Sequence, residues 1–413
     1  MERVEVRTCI AGGGPAGMML GFLLARAGVP VLVLEKHADF FRDFRGDTIH
    51  PSTLELIYEL GLLDDFLRVP HQQTTELGAY IGSTFTPVAD FGHLPTHCKY
   101  LMFMPQWDFL DFIARHARQY AAFSLRMQAD VRELIAEGGR VSGVRAALPS
   151  GALEVRADLV IGADGRHSTV RDDAGLKVDD FGAPMDVMWF RISRAPSDPG
   201  QVLGRADRGK VLIMIDRGEY FQCGYLIRKG AFDQIKQQGL PAFRNDVASL
   251  APFLRDRLVE IDDWSKISLL TVVVDRLERW YRDGLLMIGD AAHAMSPIGG
   301  VGINLAIQDA VAAANILWEA LRDGPAPVSL LAKVQARRAF PTRVTQGFQV
   351  FVQDFAIRRI LGLDQPFSPP LPFRLLSRFP SLRSLPARFI GIGVRPEHIR
   401  SPDVGVTEPV AAE

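Results

Sequence analysis

Short apolar runs separated by turn residues mark the first third of the chain. Val4–Ala11 reads as a strand running straight into glycines, and Pro15–Ala27 as a helix rich in Met, Leu and Ala that Gly28 closes. Val31–Leu34 is the next strand. Together they form a β-α-β unit of about 30 residues. Thr53–Glu59 and Asp108–Tyr120 carry helical spacing. Leu125–Glu133 and Val141–Ala147 read as strands around a turn at Glu137–Gly139, and Asp158–Ile161 as a buried strand ending in Gly-Ala-Asp-Gly. The character then changes. Val187–Ile192, Val211–Ile215 and Tyr220–Ile227 are rich in aromatic and β-branched residues, with a turn at Asp216–Gly218, as expected of an antiparallel sheet in an inserted unit. Leu269–Val274 is expected to return the chain to the first unit. Leu285–Ile288 is another short buried strand, and Gly302–Leu321 a long helix ended by Gly324-Pro325-Ala326-Pro327.

Composition narrows the possibilities. At 413 residues, with 47% hydrophobic and 23% charged positions, the chain is long enough for two or three domains and ordinary for a globular protein. A net charge of −1 gives no general electrostatic case for nucleic acid. Cys9, Cys98 and Cys223 form no CxxC pair, so neither a disulfide framework nor a thiolate metal site is expected. The N-terminus lacks a signal-peptide core and no run reaches about 18 uninterrupted apolar residues, so the expected location is the cytoplasm. Charge is unevenly spread, however. Residues 331–400 hold 12 Lys and Arg against 3 Asp and Glu, which leaves −10 for the rest of the chain.

Gly12-x-Gly14-x-x-Gly17 follows a strand and opens a helix at Pro15 and Ala16, and Glu35-Lys36 closes the second strand. Gly12 permits the tight turn, Gly14 lets a pyrophosphate approach the backbone, and Gly17 lets helix and strand pack closely. The helix N-terminus supplies N–H donors and a positive dipole end, and Glu35 can accept from ribose hydroxyls. An acid there argues against a 2′-phosphate. This unit alone leaves NAD and FAD both open.

Two later motifs also follow buried strands. They are Gly162-Ala163-Asp164-Gly165-x-x-Ser168-x-x-Arg171 and Leu285-Leu286-Met287-Ile288-Gly289-Asp290-Ala291-Ala292-His293, the latter trailed by Pro297, Gly299, Gly300, Gly302, Ile303 and Asn304. With these three motifs in order, the chain resembles the FAD-dependent aromatic hydroxylases of the 4-hydroxybenzoate hydroxylase type, the class A flavoprotein monooxygenases, over roughly residues 4–345. The resemblance implies an α/β fold. A Rossmann-like FAD-binding domain would take residues 1–80, 100–178 and 275–345, an inserted, mainly antiparallel substrate domain 81–99 and 179–274, and a basic helical or irregular region 346–413.

It also implies roles. Glu35 would bind the adenosine ribose, Arg45 would reach the pyrophosphate, Gln106 would lie beside the flavin and its ribityl chain, and Val131 against the adenine. Asp164 would serve both FAD and the nicotinamide donor, Gly289-Asp290 would hold a ribityl hydroxyl, and Pro297 to Asn304 would line the flavin ring. The helix dipole near Gly302 fits negative charge on reduced flavin. His293 reads as a structural loop histidine, and Asp309 carries no role. The implied reaction takes hydride from NAD(P)H and then O2, forms a flavin C4a-hydroperoxide, and hydroxylates an aromatic or similarly conjugated small molecule. Alternatives are a reductase or dehydrogenase on the same fold, without oxygen insertion, and a non-catalytic binding protein. The WxWxIP halogenase motif is absent.

Substrate residues are less legible. Trp189, Phe190, Tyr220, Phe221, Gln222 and Tyr225 are candidates by location, with Trp189, Tyr220 and Gln222 singled out. Arg217 is expected to be exposed at its turn. In the basic region, Phe, Leu and Ile alternate with Arg. Packing onto the acidic remainder or a subunit contact, such as a homodimer, is the preferred reading there, with peripheral contact to an anionic membrane as the alternative.

Overall fold

The computed structural model describes residues 1–41, 48–199, 204–363, 365 and 367–405. Its first layer is a sheet in which Glu2–Ala11 pairs in parallel with Val31–Glu35 on one side and Gly151–Gly162 on the other. Leu285–Met287 extends the parallel array beside Gly151–Gly162, and Phe123–Met127 extends it beside Val31–Glu35. Ala11 lies opposite Gly162, and Gly162 opposite Met287. Three neighbouring strands therefore end level, each in a glycine-bearing turn. The helices Pro15–Arg26 and Gly302–Asp323 cover this sheet and pack on each other, burying an apolar core that includes Ile10, Met19, Leu23, Ile161, Met287, Ile307 and Val311. Ile298–Asp323 is long and apolar enough to cross a membrane, yet 67% of its most apolar window is buried inside the protein, where it serves as a core helix.

The second sheet has seven strands. Met185–Ser193, Tyr220–Arg228 and Lys210–Asp216 are antiparallel neighbours, and Glu76–Ile81 with Thr84–Asp90 completes one edge, so this sheet reaches back to residue 76. Strand alternation sorts its side chains. Met188, Phe190, Ile192, Phe221, Cys223 and Tyr225 face Phe243 and Val247 of the helix Leu240–Leu250. Val187, Trp189, Ile215 and Leu226 face the opposite way, into a cluster with Leu101, Phe103 and Ile298.

Three expectations need correction. The strand foreseen over Leu125–Glu133 is two strands, Phe123–Met127 and Asp130–Glu137, broken where Gln128 adopts a positive φ of 56° and Gln128 and Ala129 donate to His37 and Glu35 carbonyls. The short strand at Asp158–Ile161 is the end of the longer Gly151–Gly162, which also forms a hairpin with Arg140–Leu148. Leu269 does not yet leave the inserted sheet, because Ser268–Leu270 pairs with Val187–Trp189. Only at Asp275–Leu277, against Val178–Asp180, does the chain leave that sheet.

Candidate active site

The three motifs meet at the level ends of their strands. Gly12 has φ +106°, and a Cβ there would stand 2.3 Å from the carbonyl oxygen of Ala163. The first turn is therefore seated directly on the second motif, joined also by the Ala163 N–H donating to Ala11. A Cβ on Gly289 would meet the Cβ atoms of Ala16 and Ala306 at 3.1 and 3.2 Å, which seats the third motif against both long helices. Gly17 is needed for packing, since its Cβ would lie 2.0 Å from the Gly12 oxygen. Gly14 and Gly165 differ from these. A Cβ on either meets no protein atom within 4 Å, so both turns present bare backbone to open space.

Glu35 is buried at the mouth of this space. Its Oε2 accepts from the Gly13 N–H at 3.0 Å and its Oε1 from the His37 N–H at 3.0 Å. A carboxylate has about four acceptor sites, so capacity for ribose hydroxyls is compatible with these bonds. Lys36 is exposed beside it, and Val131 is buried in the strand that starts where the Ala129 N–H reaches the Glu35 carbonyl. Pro15 opens the first helix, and Gln106, half-buried, opens the helix Gln106–Ala117. Arg45 lies outside the described residues.

Asp164 is used locally. Ser168 and the Val170 N–H both donate to it, tying the turn to the short helix behind, and burial pushes its carboxyl above the ordinary aspartate range. Asp290 is different, being partly exposed, with Arg166 of the second motif 3.5 Å from its Oδ2. This ion pair links the second and third turns.

The loop from Pro297 to Asn304 is held from two sides. Asn304 is buried; its Oδ1 accepts from the His50 N–H and the Thr53 hydroxyl, and its Nδ2 donates to Thr48 and Gly300 carbonyls. Asn304 thus staples, by its side chain, the loop expected to line the flavin. Its backbone N–H remains in the first turn of the helix, with those of Gly302 and Ile303, where the intrahelical bonds begin only with Leu305 donating to Val301. Gly299 and Gly300 both have positive φ, which lets the chain reverse into that helix. From the other side, Gln349 donates to Ser296 and Ile298 carbonyls and accepts from the Ser296 N–H, while Gln353 donates to the Ser296 hydroxyl.

A buried ionic chain stands behind the third turn, invisible to motif reading. Asp309 accepts from the Gly289 N–H, from His293 at 2.5 Å and from Arg338 at 2.9 Å, and Arg338 continues to Glu397. Burial raises the Asp309 pKa, but His293 and Arg338 outweigh it and hold the carboxyl below its ordinary range. Asp309, without a role at the outset, is thus the clasp of the Gly289-Asp290 turn.

Across from the loop, pairing register puts Trp189, Gln222 and Tyr220 on one face of the second sheet, with Trp189 opposite Gly224 and Arg191 opposite Gln222. Trp189 and Ile298 share an apolar cluster on that face. Arg217 is not exposed, as expected from its turn, but half-buried, and its Nε and Nη2 both donate to the Gln222 Oε1 at 3.1 Å. Tyr220 sits at the outer end, with the Arg191 guanidinium 3.9 Å above its ring. Phe190, Phe221 and Tyr225 point into the opposite core. Among the described residues no cluster of metal-ligating side chains occurs, and all three cysteines are free and buried.

Comparison with known proteins accords with this geometry. The family described as FAD binding domain matches residues 5–347. The 6-methylpretetramide 4-monooxygenase of Streptomyces rimosus is 33% identical over 396 residues, 95% of this chain and 94% of its own. A rifampicin monooxygenase of Streptomyces venezuelae is 29% identical over 80% of this chain and 67% of its own. Among solved structures, the OxyS anhydrotetracycline hydroxylase of Streptomyces rimosus superposes with a TM-score of 0.74 at 25% identity, covering 94% of this chain and 76% of that one. PqsL of Pseudomonas aeruginosa, described as a probable FAD-dependent monooxygenase, has a TM-score of 0.73 at 22% identity over 87% of this chain and 98% of that one, a likeness of fold alone. The chain belongs to the FAD-binding-domain family and, within it, to the class A flavoprotein monooxygenases. It is an FAD-dependent monooxygenase.

Proposed function

We propose that this enzyme uses NAD(P)H and O2 to hydroxylate a fused multi-ring phenol of the kind named in its pretetramide and tetracycline relatives. The observation that carries this reading is the 33% identity to the 6-methylpretetramide enzyme along nearly the whole of both chains. The trough supports it. Two bare turns, at Gly14 and Gly165, leave room that a dinucleotide's phosphates would fill, and an acid stands at the mouth.

When bound, FAD supplies the redox chemistry, taking electrons from the nicotinamide and delivering one oxygen atom to substrate. The chain's own groups bind, orient and keep the site dry. Gly12 to Gly17 and the helix behind them would receive the pyrophosphate, with Arg45 as a further phosphate contact. Glu35, with Lys36 at the rim, would take the ribose, and Val131 the adenine. Gln106, Asp164 and Asp290 would serve the ribityl and pyrophosphate side, Asp290 with Arg166 fixing its direction. Pro297 to Gly300 would line the ring, and the N–H groups of Gly302, Ile303 and Asn304 would face developing negative charge at the positive end of a 22-residue helix. Trp189 offers an apolar wall, and the Arg217–Gln222 pair a polar edge for phenolic oxygens, with Tyr220 further out. We read the parallel-sheet unit as the cofactor body, with the first boundary moved from residue 80 to 75 because Glu76–Ile81 pairs in the second sheet (1–75, 100–178, 275–345), and 76–99 with 179–274 as its substrate-facing cover.

The test is a panel of fused-ring phenols assayed for NAD(P)H oxidation, peroxide release and product mass. A substrate accelerates reductant consumption, lowers peroxide per NAD(P)H and yields a product heavier by one oxygen. If reductant is consumed without any product gaining oxygen across the panel, while single-ring phenols are hydroxylated, the proposed substrate class is wrong. If nothing gains oxygen, a reductase on the same fold takes its place.

A further inference from the structure

The large exposed apolar side chains are unevenly placed. Phe340, Phe348, Phe351, Phe355, Leu371, Leu375, Phe379, Leu382 and Leu385 all lie in the basic C-terminal stretch, while the others among the described residues are scattered singly along the chain. We propose that this stretch is a docking surface for an anionic lipid membrane.

Two rows of these side chains can be traced. Phe340, Phe348, Phe351 and Phe355 follow helical spacing on the helix Val328–Val352 and the turn after it, with Phe351 and Phe355 stacked at 5.5 Å. Phe348 meets Phe389 at 4.7 Å, which joins this row to the helix Ser384–Gly391, where Leu385 is 65% exposed. Leu371, Leu375 and Phe379 stand at i, i+4 and i+8, and Leu371 is 66% exposed. That helix turns Phe373 and Leu376 toward the protein and packs on Thr84–Asp90, so the outward row is surplus to its packing.

Charge names the occupant. Arg359, Arg374, Arg378 and Arg388 are exposed and have no carboxylate partner among the described residues. Among the described residues, the acids of this stretch are already engaged: Asp354 with Arg358 at 2.8 Å, and Glu397 buried against Arg337 and Arg338. Packing onto the acidic remainder, the preferred sequence reading, does not cover these side chains. Pairing the same face of two copies would bring arginine against arginine. An anionic lipid surface takes the Phe and Leu side chains into its acyl boundary and the guanidinium groups at its headgroups, each basic residue adding attraction that salt screens.

The experiment is co-sedimentation of the full-length, FAD-loaded protein with vesicles of phosphatidylcholine alone or with about a third phosphatidylglycerol. The result expected is binding to the anionic vesicles, about ten-fold weaker on neutral ones and weakened by salt near 0.5 M (about a 4 Å screening length). Phe351→Ser/Phe355→Ser and Arg374→Glu/Arg378→Glu should each lower binding about ten-fold or more. Unchanged flavin absorbance and melting temperature certify that both variants are folded. No binding to anionic vesicles overturns the proposal. So does equal binding by wild type and both variants, or a dimer in light scattering that Phe351→Ser/Phe355→Ser dissolves.

Discussion

Gly14 and Gly17 are three residues apart and do opposite work. A methyl on Gly17 would collide with the Gly12 oxygen at 2.0 Å, whereas one on Gly14 would touch nothing in the protein. Gly17→Ala should therefore lower the melting temperature of the FAD-free protein by several degrees, roughly the effect of 1–3 kcal/mol of overpacking. Gly14→Ala should leave that temperature unchanged and weaken FAD about ten-fold or more by blocking phosphate approach. Scanning calorimetry of the apo forms and flavin fluorescence titration separate the two. His50 makes a second claim at this scale. It is buried with its Nδ1 2.8 Å from the Ile390 carbonyl, and burial lowers its pKa to about 4. The unfolded value is near 6.5, so the unfolded chain binds the proton more readily. The contribution of neutral His50 is complete above pH ~6.5 and is lost as pH falls toward ~4. Urea midpoints measured across this window should fall for wild type, and His50→Gln should remove that part of the slope.

The helix Val328–Val352 and the turn beyond it act as a clamp. Gln346, Gln349 and Gln353 follow at i, i+3 and i+7, and all three reach buried backbone or side-chain groups of residues 275–298. Gln349→Ala leaves three backbone groups of Ser296 and Ile298 without this partner, at a cost of about 1–3 kcal/mol for each group left unsatisfied. It should also loosen the loop beside the reacting ring, so peroxide released per NAD(P)H should rise with substrate present; if coupling is unchanged, the clamp is only structural. Such a clamp could not be read from the chain, because glutamines on a helix look like a solvated face until the partner loop is known. The glycine motifs were legible because each φ or close approach demands that residue type. The grouping of the three motifs at one cofactor followed from the family resemblance, because the β-α-β pattern covers only the first of the three strands that end level. What escaped were the break at Gln128, the membership of Ser268–Leu270 in the second sheet, and the Arg217–Gln222 bond. The first turns on a backbone angle that residue type does not dictate and the second on a partner strand distant in sequence. The third, though it spans only five residues, depends on how the hairpin turn aims Arg217 back over the sheet face.

Across the whole molecule, the C-terminal segment straps the cofactor unit together. The Glu397 N–H donates to Gln308, Asn315 bonds His398, Arg400 and Ser401, Glu59 receives the Ile399 N–H, and the Val404 N–H reaches the Arg26 carbonyl. Through Arg338 and Asp309 this strap is connected to the Gly289-Asp290 turn. Glu397→Ala would take the shared carboxylate from Arg337 and the buried Arg338, and because Arg338 keeps Asp309 the cost is about 1–3 kcal/mol. The purified protein should melt several degrees lower and carry less FAD per chain, by absorbance, than wild type. A variant with full flavin occupancy and unchanged melting would show that the strap is an ornament of the fold. The most direct test of the whole account is an FAD titration of apo Gly14→Val, followed by flavin fluorescence. Three turns converging on one trough predict no binding at concentrations that saturate wild type, in a protein whose own melting is unaltered. Wild-type affinity in that variant would mean that the dinucleotide does not lie where the three turns meet.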